Sequence, residues 1–296
     1  MATQTTQPET PTRPPRRRRR GVTPWFSNEH GAWAMLITPA VLGTVAGVVT
    51  WLRTDPGPAG LIAIVAVLCA WFTGYGAFFA FGLAARARTP QRRRKYLTPV
   101  YVYGALSAAA LLGALAAVPA VAWWALPYAP LLLIAVGETL RGRGRSLLSG
   151  LSTTVAAALL VPVLMNLGAG EGLMVRDTGY DPAPAWTAMI FLALYFSSTV
   201  PFVKSMIRER ANRAFLNFSL GYHLAVVGAV AGLVWFGPVG PFSGAVLLAT
   251  VLLALGRAMW FPATAARGRK WTAKHIGMAE MPLVLLASLG VLSLLL

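Results

Sequence analysis

Nine stretches of this chain are apolar for about the length a helix needs to cross a lipid bilayer. They lie at approximately 33–52, 59–84, 100–118, 120–137, 147–167, 186–204, 215–236, 241–260 and 278–296. A hydrocarbon core of roughly 30 Å takes about 20 helical residues, each adding ~1.5 Å along the axis. Backbone N–H and C=O groups find no water at that depth, so a spanning segment satisfies them internally as a helix or in a closed barrel. Runs this long, without polar alternation, exclude strands and predict an all-α, polytopic transmembrane bundle. The run at 100–137 holds 38 residues and would reach about 57 Å as one helix. It must be two spans that turn near Pro119. The ninth span is the least sharply bounded, because Glu280 and Pro282 fall inside its start.

Charge tests the number of crossings independently. With the N-terminus in the cytoplasm, nine crossings place residues 1–32, 85–99, 138–146, 205–214 and 261–277 on one side, with Lys204 and Arg257 at the adjoining helix ends. Those regions hold 24 of the 26 Lys and Arg, and only Arg53 and Arg176 fall elsewhere. That is the positive-inside asymmetry, and an eight- or ten-span count scrambles it. The C-terminus is then outside, and the chain reads as a multi-pass protein of the bacterial cytoplasmic membrane. Most tryptophans sit near span ends, Trp71 being the exception, as rings suited to the headgroup level should. Most of the net charge of +17 is topology. It does not in itself imply an acidic substrate.

Two regions follow: a polybasic cytoplasmic tail, 1–28, and a nine-helix transmembrane domain, 29–296. The tail opens Thr/Gln/Pro-rich and ends in Arg13 and Arg16 to Arg20. Its composition is that of a disordered segment. Its place beside the first span favours anionic lipid headgroups over nucleic acid as a partner. No convincing small-residue cleavage site follows the tail, so the first span reads as a retained anchor. Cys69, the lone cysteine, excludes a disulfide framework and reads as a small packed residue.

Ionisable and amide side chains inside spans are costly there and become candidate sites by default. Asn28, Glu29 and His30 stand at the mouth of the first span. His30 suits a proton carrier or ligand donor, while Asn28 and Glu29 equally suit a helix start. The segment from 195 to 223 is the richest. It carries Tyr195, Ser197, Ser198, Thr199, Lys204 and Arg208, then Asn212, Ser219, Tyr222 and His223, whose spacing lays the last four along one helix face. Ion pairs and back-bonded hydroxyls are the plainer use of the same residues. Glu138 ends a span near Arg141 and Arg145, where ion pairing suffices. Pro162 and Asn166 share a face and suit the outer lining of a cavity. His275 and Glu280 lie too far around a helix to act together. Gly43 with Gly47, and Gly228 with Gly232, are small-xxx-small pairs that predict close helix packing. No metal is expected: 56–137 has no Asp or Glu, and the three histidines are not at ligand spacing. No nucleotide-binding loop and no other cofactor motif is present.

The string Asn28-Glu29-His30-Gly31-Ala32-Trp33-Ala34-Met35-Leu36, followed by Pro39 and Gly43, resembles the opening of the YwiC-like family of bacterial integral membrane proteins. The block from Lys204 to Asn212 looks like a second shared element, and the likeness spans most of 25–296. It implies a membrane protein and no particular reaction. A more distant architectural likeness is to the UbiA-type prenyltransferases, which hold magnesium and an isoprenoid diphosphate on Asp-rich motifs in two cytoplasmic connections. Here the first of those connections is basic from Arg86 to Lys95 without a carboxylate, and the second offers only Glu209. Magnesium chemistry of that kind is therefore not expected. Arginine forks match phosphate oxygens, so Arg88, Arg92, Lys204 and Arg208 are candidates to hold an anionic lipid or ligand directly.

The expected whole is a bundle with a cytoplasm-facing polar cavity. The ligand candidates are Glu29, His30, Arg88, Arg92, Glu138, Lys204, Arg208, Asn212, Ser219, Tyr222 and His223, with His30 and His223 as acid–base candidates. A UbiA-like lipid-handling protein, a small-solute or proton-coupled transporter and a membrane scaffold are the competing readings. Whether the chain is an enzyme, and its oligomeric state, stay open. Transport predicts polar groups through the depth of the bilayer, and lipid chemistry predicts a pocket closed on the outer side.

Overall fold

Helix starts in this chain are set by proline and by capping hydroxyls. In the computed structural model, which describes residues 23–27, 30–175 and 180–296, α1 runs His30–Thr54 and α2 runs Pro58–Ala85. Between them Asp55 and Gly57 take positive φ, and Pro58 opens α2 where its missing N–H is harmless. Thr89 accepts from the Arg92 N–H and Pro90 follows, so α3, Pro90–Ala117, begins inside the basic connection, ten residues before the apolar run. The chain then turns where the sequence requires it, through a 3₁₀ segment at Pro119–Trp124, into α4, Ala125–Leu140.

The fifth span is broken. α5, Leu147–Ala158, and α6, Leu160–Gly168, meet at Leu159, one turn before Pro162, whose ring cannot continue the ladder to Ala158. Four long helices complete the chain: α7 Ala183–Ile207, α8 Arg213–Phe236, α9 Pro241–Ala266 and α10 Ala273–Leu295. Counting α5 and α6 as one crossing, the described residues hold nine helical spans long and apolar enough to cross a membrane. No strand occurs among them. The chain is a multi-pass membrane protein.

α5–α6 and α7 are central, 67% and 61% buried over their apolar windows, whereas α3 is 6% buried and rests almost entirely on α2. Apolar surface gains little by leaving lipid for another helix, so association there depends on close contact. α1 and α6 show how. A Cβ on Gly47 would overlap the Leu164 carbonyl oxygen, and one on Gly168 would overlap the Gly47 oxygen. The Gly43–Gly47 expectation therefore holds. The Gly228–Gly232 one does not, because nothing lies within 4 Å of either position. α8 turns Ser219, His223, Val226 and Val230 inward, and the two glycines point the other way. Cys69 is likewise exposed on α2 instead of packed.

Contacts between connections fix which ends lie together. Lys204 and Arg208 both donate to the Arg145 carbonyl, and Arg210 donates to that of Trp271, joining the α4–α5, α7–α8 and α9–α10 turns. Trp25 and Ser27 meet Tyr103 and Tyr75 on the α2–α3 hairpin. We call this the basic end. At the opposite end the 55–57, 118–123 and 169–174 segments surround a cavity of about 730 Å³, and Arg53 donates to the Leu296 carbonyl. Trp71, the exception to the interfacial pattern, donates from mid-span to the Leu36 carbonyl of α1.

Candidate functional site

Arg257 is not the juxtamembrane charge that its position at the end of an apolar run suggests. α9 continues nine residues beyond it to Ala266, about 13 Å of helix, and Arg257 is buried at 7% exposure. Its guanidinium pairs with the Glu280 carboxylate of α10 and lies 4.2 Å over the Phe202 ring of α7. The Tyr195 hydroxyl, also from α7, donates to the other Glu280 oxygen at 2.6 Å. Burying a charge is tolerated only when it is paired and hydrogen-bonded. Here the pairing is incomplete: Arg257 Nε and Nη2 are enclosed without an acceptor among the described residues.

α8 presents the second half of the cluster. His223, 2% exposed, has Nδ1 2.7 Å from the Ser219 carbonyl. A carbonyl only accepts, so Nδ1 carries the proton and Nε2 of the neutral ring is an acceptor. That Nε2 meets no partner among the described residues, and neither does the buried Ser219 hydroxyl. α8 packs against α7 and α9, the helices that carry Tyr195 and Arg257. Tyr222 donates to Ser197 of α7 at 2.9 Å. Ser219, Tyr222 and His223 do share a face, and these two neighbours of α8, together with α10, carry the Arg–Glu–Tyr group.

Apolar layers close both sides. Toward the basic end Phe202, Met206, Ala258, Phe261 and Ile276 form one cluster. Away from it Leu192, Val226, Val230, Val251, Val284 and Ala287 belong to another. Arg257 and His223 are therefore buried between these layers, with Glu280 partly exposed beside Arg257.

The other candidates are used locally. Asn212 leaves the polar face: it is the exposed cap of α8, accepting from the Phe215 N–H and donating to Glu209. α8 starts only at Arg213, which is why helical spacing misplaces it. Glu138 is buried against Arg143 at 2.7 Å and Arg141 at 3.6 Å, pinning the α4–α5 turn. Lys204 and Arg208 hold the Arg145 carbonyl, while Arg88 and Arg92 are exposed on the α2–α3 hairpin. No hydrogen bond or ion pair joins the two basic pairs among the described residues. Asn166, expected to line a cavity, is fully buried and clamps the loop beyond it, donating to the Gly172 carbonyl and accepting from Tyr180. Glu29, the His30 side chain and the tail arginines lie outside the described residues.

Sequence reasoning missed the pairing of Arg257 with Glu280. Two lone charges of opposite sign in neighbouring apolar runs were the available signal. His275, by contrast, stays exposed beside Trp271, as its angular distance from Glu280 requires.

Comparison with known proteins gives a family. A family model described as YwiC-like protein matches residues 26–165. A protein of Bacillus subtilis (strain 168), named "Uncharacterized protein YwiC", is 30% identical over 257 residues, 86% of this chain and 90% of that one. No solved structure matches.

Proposed function

The chain belongs to the YwiC-like family, and from that premise we propose that it is a bacterial inner-membrane carrier for a small anionic solute, bound between α7, α8, α9 and α10. The observation that carries this reading is the polar cluster of Arg257, Glu280 and Tyr195, with donors on buried Arg257 left unsatisfied among the described residues. Unpaired buried polar groups are expensive, and a ligand that completes them recovers that cost. Carriers bind near the bilayer midplane and close alternately on either side. A polar site inside the span, with apolar layers above and below, matches an occluded state of such a cycle.

Lipid chemistry of the UbiA kind has less support. It needs the two basic connections to converge, yet Lys204 and Arg208 turn to Arg145 while Arg88 and Arg92 face solvent on a separate hairpin. With the N-terminus cytoplasmic, the tail arginines lie beside the leaflet whose anionic headgroups attract them. The carrier is tested in proteoliposomes with radiolabelled acetate, lactate, succinate and phosphate. Wild-type protein accumulates at least one of them faster than empty vesicles, and Arg257→Gln reduces that rate to the empty-vesicle level. Uptake of none of the four, or uptake indifferent to Arg257, sinks the reading.

A further inference from the structure

We propose that the solute is a carboxylate which takes the place of Glu280 on Arg257, and that Glu280 leaves the pair carrying a proton, so that each anion bound brings one proton with it. This deepens the carrier reading and rests on it.

The Arg257 site is already a carboxylate site, with a side chain of the protein as its occupant. A guanidinium fork matches two carboxylate oxygens at once, which a spherical anion cannot exploit. Glu280 leaves part of that fork unused, because Nε and Nη2 find no acceptor among the described residues. An incoming carboxylate has both oxygens free for it.

The two members of the pair are unequally held. The Arg257 side chain is 5% exposed and flattened on Phe202, whereas that of Glu280 is 15% exposed. Glu280 is the one that can move. It also stands two residues before Pro282, where α10 lacks the backbone hydrogen bond that an N–H at that position would donate to the Met278 carbonyl.

Displacement decides the proton. Once its cation is taken, Glu280 keeps only the Tyr195 hydroxyl, and a buried carboxylate without a counter-charge is strongly disfavoured. Protonation removes that penalty. The balance is one carboxylate and one proton entering, the Arg257–carboxylate contact conserved, and one Glu280 O–H formed. The groups facing Glu280 allow it. α7 brings Tyr195, α8, packed against α7 and α9, carries His223, and α9 brings Arg257 itself. The titratable neighbours on α10, Lys274 and His275, are exposed at its start, and α1 brings among its described side chains only Arg53, at the opposite end.

The test uses the full chain in detergent micelles in weakly buffered solution. Radiolabelled benzoate serves as a water-borne carboxylate and radiolabelled laurate as a lipid-borne one, with proton uptake read from the pH change on binding. Wild type should take up close to one proton per acid bound, and its affinity should fall about tenfold per pH unit as the pH rises from 6 to 8. Glu280→Gln should bind with no proton uptake and an affinity level across that range. Arg257→Gln should not bind. The double variant Arg257→Gln with Glu280→Gln, which removes both charges together, should elute from a sizing column as wild type does and still bind neither acid; binding by it would overturn the role of the fork. Uptake with benzoate alone assigns the source to water, and with laurate alone to the bilayer; either supports the exchange. Binding without uptake in wild type, or uptake that persists in Glu280→Gln, overturns the exchange and leaves the carrier standing. Binding of phosphate but of neither acid overturns the carboxylate class alone, and acid binding that ignores Arg257 overturns both proposals.

Discussion

A hydroxyl buried on a loop can hold that loop only while it keeps its proton. Tyr180 donates to Asn166 at 2.8 Å, and Asn166 in turn donates to the Gly172 carbonyl at 2.9 Å, so one fully buried amide fastens both arms of the α6–α7 connection. Burial, aided by the nearby Asp181 charge, raises the Tyr180 phenol above its ordinary value. The folded state therefore holds the proton more tightly than the unfolded one. The clamp's contribution is whole below about pH 10 and is lost as the pH climbs through the raised value. Digestion with an alkali-tolerant protease should show the loop opening above that pH. Tyr180→Phe should open it to a pH-independent degree, with a loss of about 1 kcal/mol; equal resistance in both proteins would contradict the clamp. The same scale explains what sequence could and could not reveal. His223, Tyr222 and Ser219 were legible because one helix carries all three. Arg257 with Glu280 was not, since the partner of a buried charge sits on another helix and helical period says nothing across that gap.

Helix boundaries were legible to within a few residues wherever lipid length set them, and less so where a cap did. α3 starts at Pro90 within a run of arginines, because Thr89 and Pro90 are a better start signal than the edge of the apolar stretch. α9 outruns its apolar segment by six residues, and that misplaced Arg257. Small-residue pairs are equally ambiguous from sequence: Gly43 and Gly47 meet α6, but Gly228 and Gly232 meet nothing within 4 Å. The contrast makes a prediction. Gly168→Ala drives a methyl into the Gly47 carbonyl with no side chain able to yield, and overpacking of this sort costs about 1–3 kcal/mol. Gly228→Ala adds a methyl to open helix surface, where loss of glycine's backbone freedom is worth about 0.5–1 kcal/mol in the other direction. Thermal unfolding in one detergent should therefore lower the midpoint for the first and hold or raise it for the second. Reversal of that order would mean α1 and α6 do not cross as described.

At the scale of the molecule, two independent arguments converge on an odd number of crossings. Lysine and arginine gather on alternate connections, and the contacts among connections sort them into the same two groups. Arg145, Lys204 and Arg208 meet at one end, and Arg53 reaches Leu296 at the other. Charge bias alone would follow from selection on insertion, and packing alone would follow from helix lengths; neither requires the other. If both are right, the carrier site has a definite approach from each side. With the basic end in the cytoplasm, as the charge bias predicts, the layer of Phe202, Met206, Phe261 and Ile276 is the inner one and the apolar core around Val251, Val284 and Ala287 the outer one. Cysteines placed at exposed Ala211 and Pro238, in a chain whose Cys69 is replaced by Ser, decide the orientation. A membrane-impermeant maleimide should label Pro238→Cys in intact cells and Ala211→Cys only after the membrane is opened. Labelling of both from one side would break the alternation, and the two apolar layers could then no longer act as gates to opposite compartments.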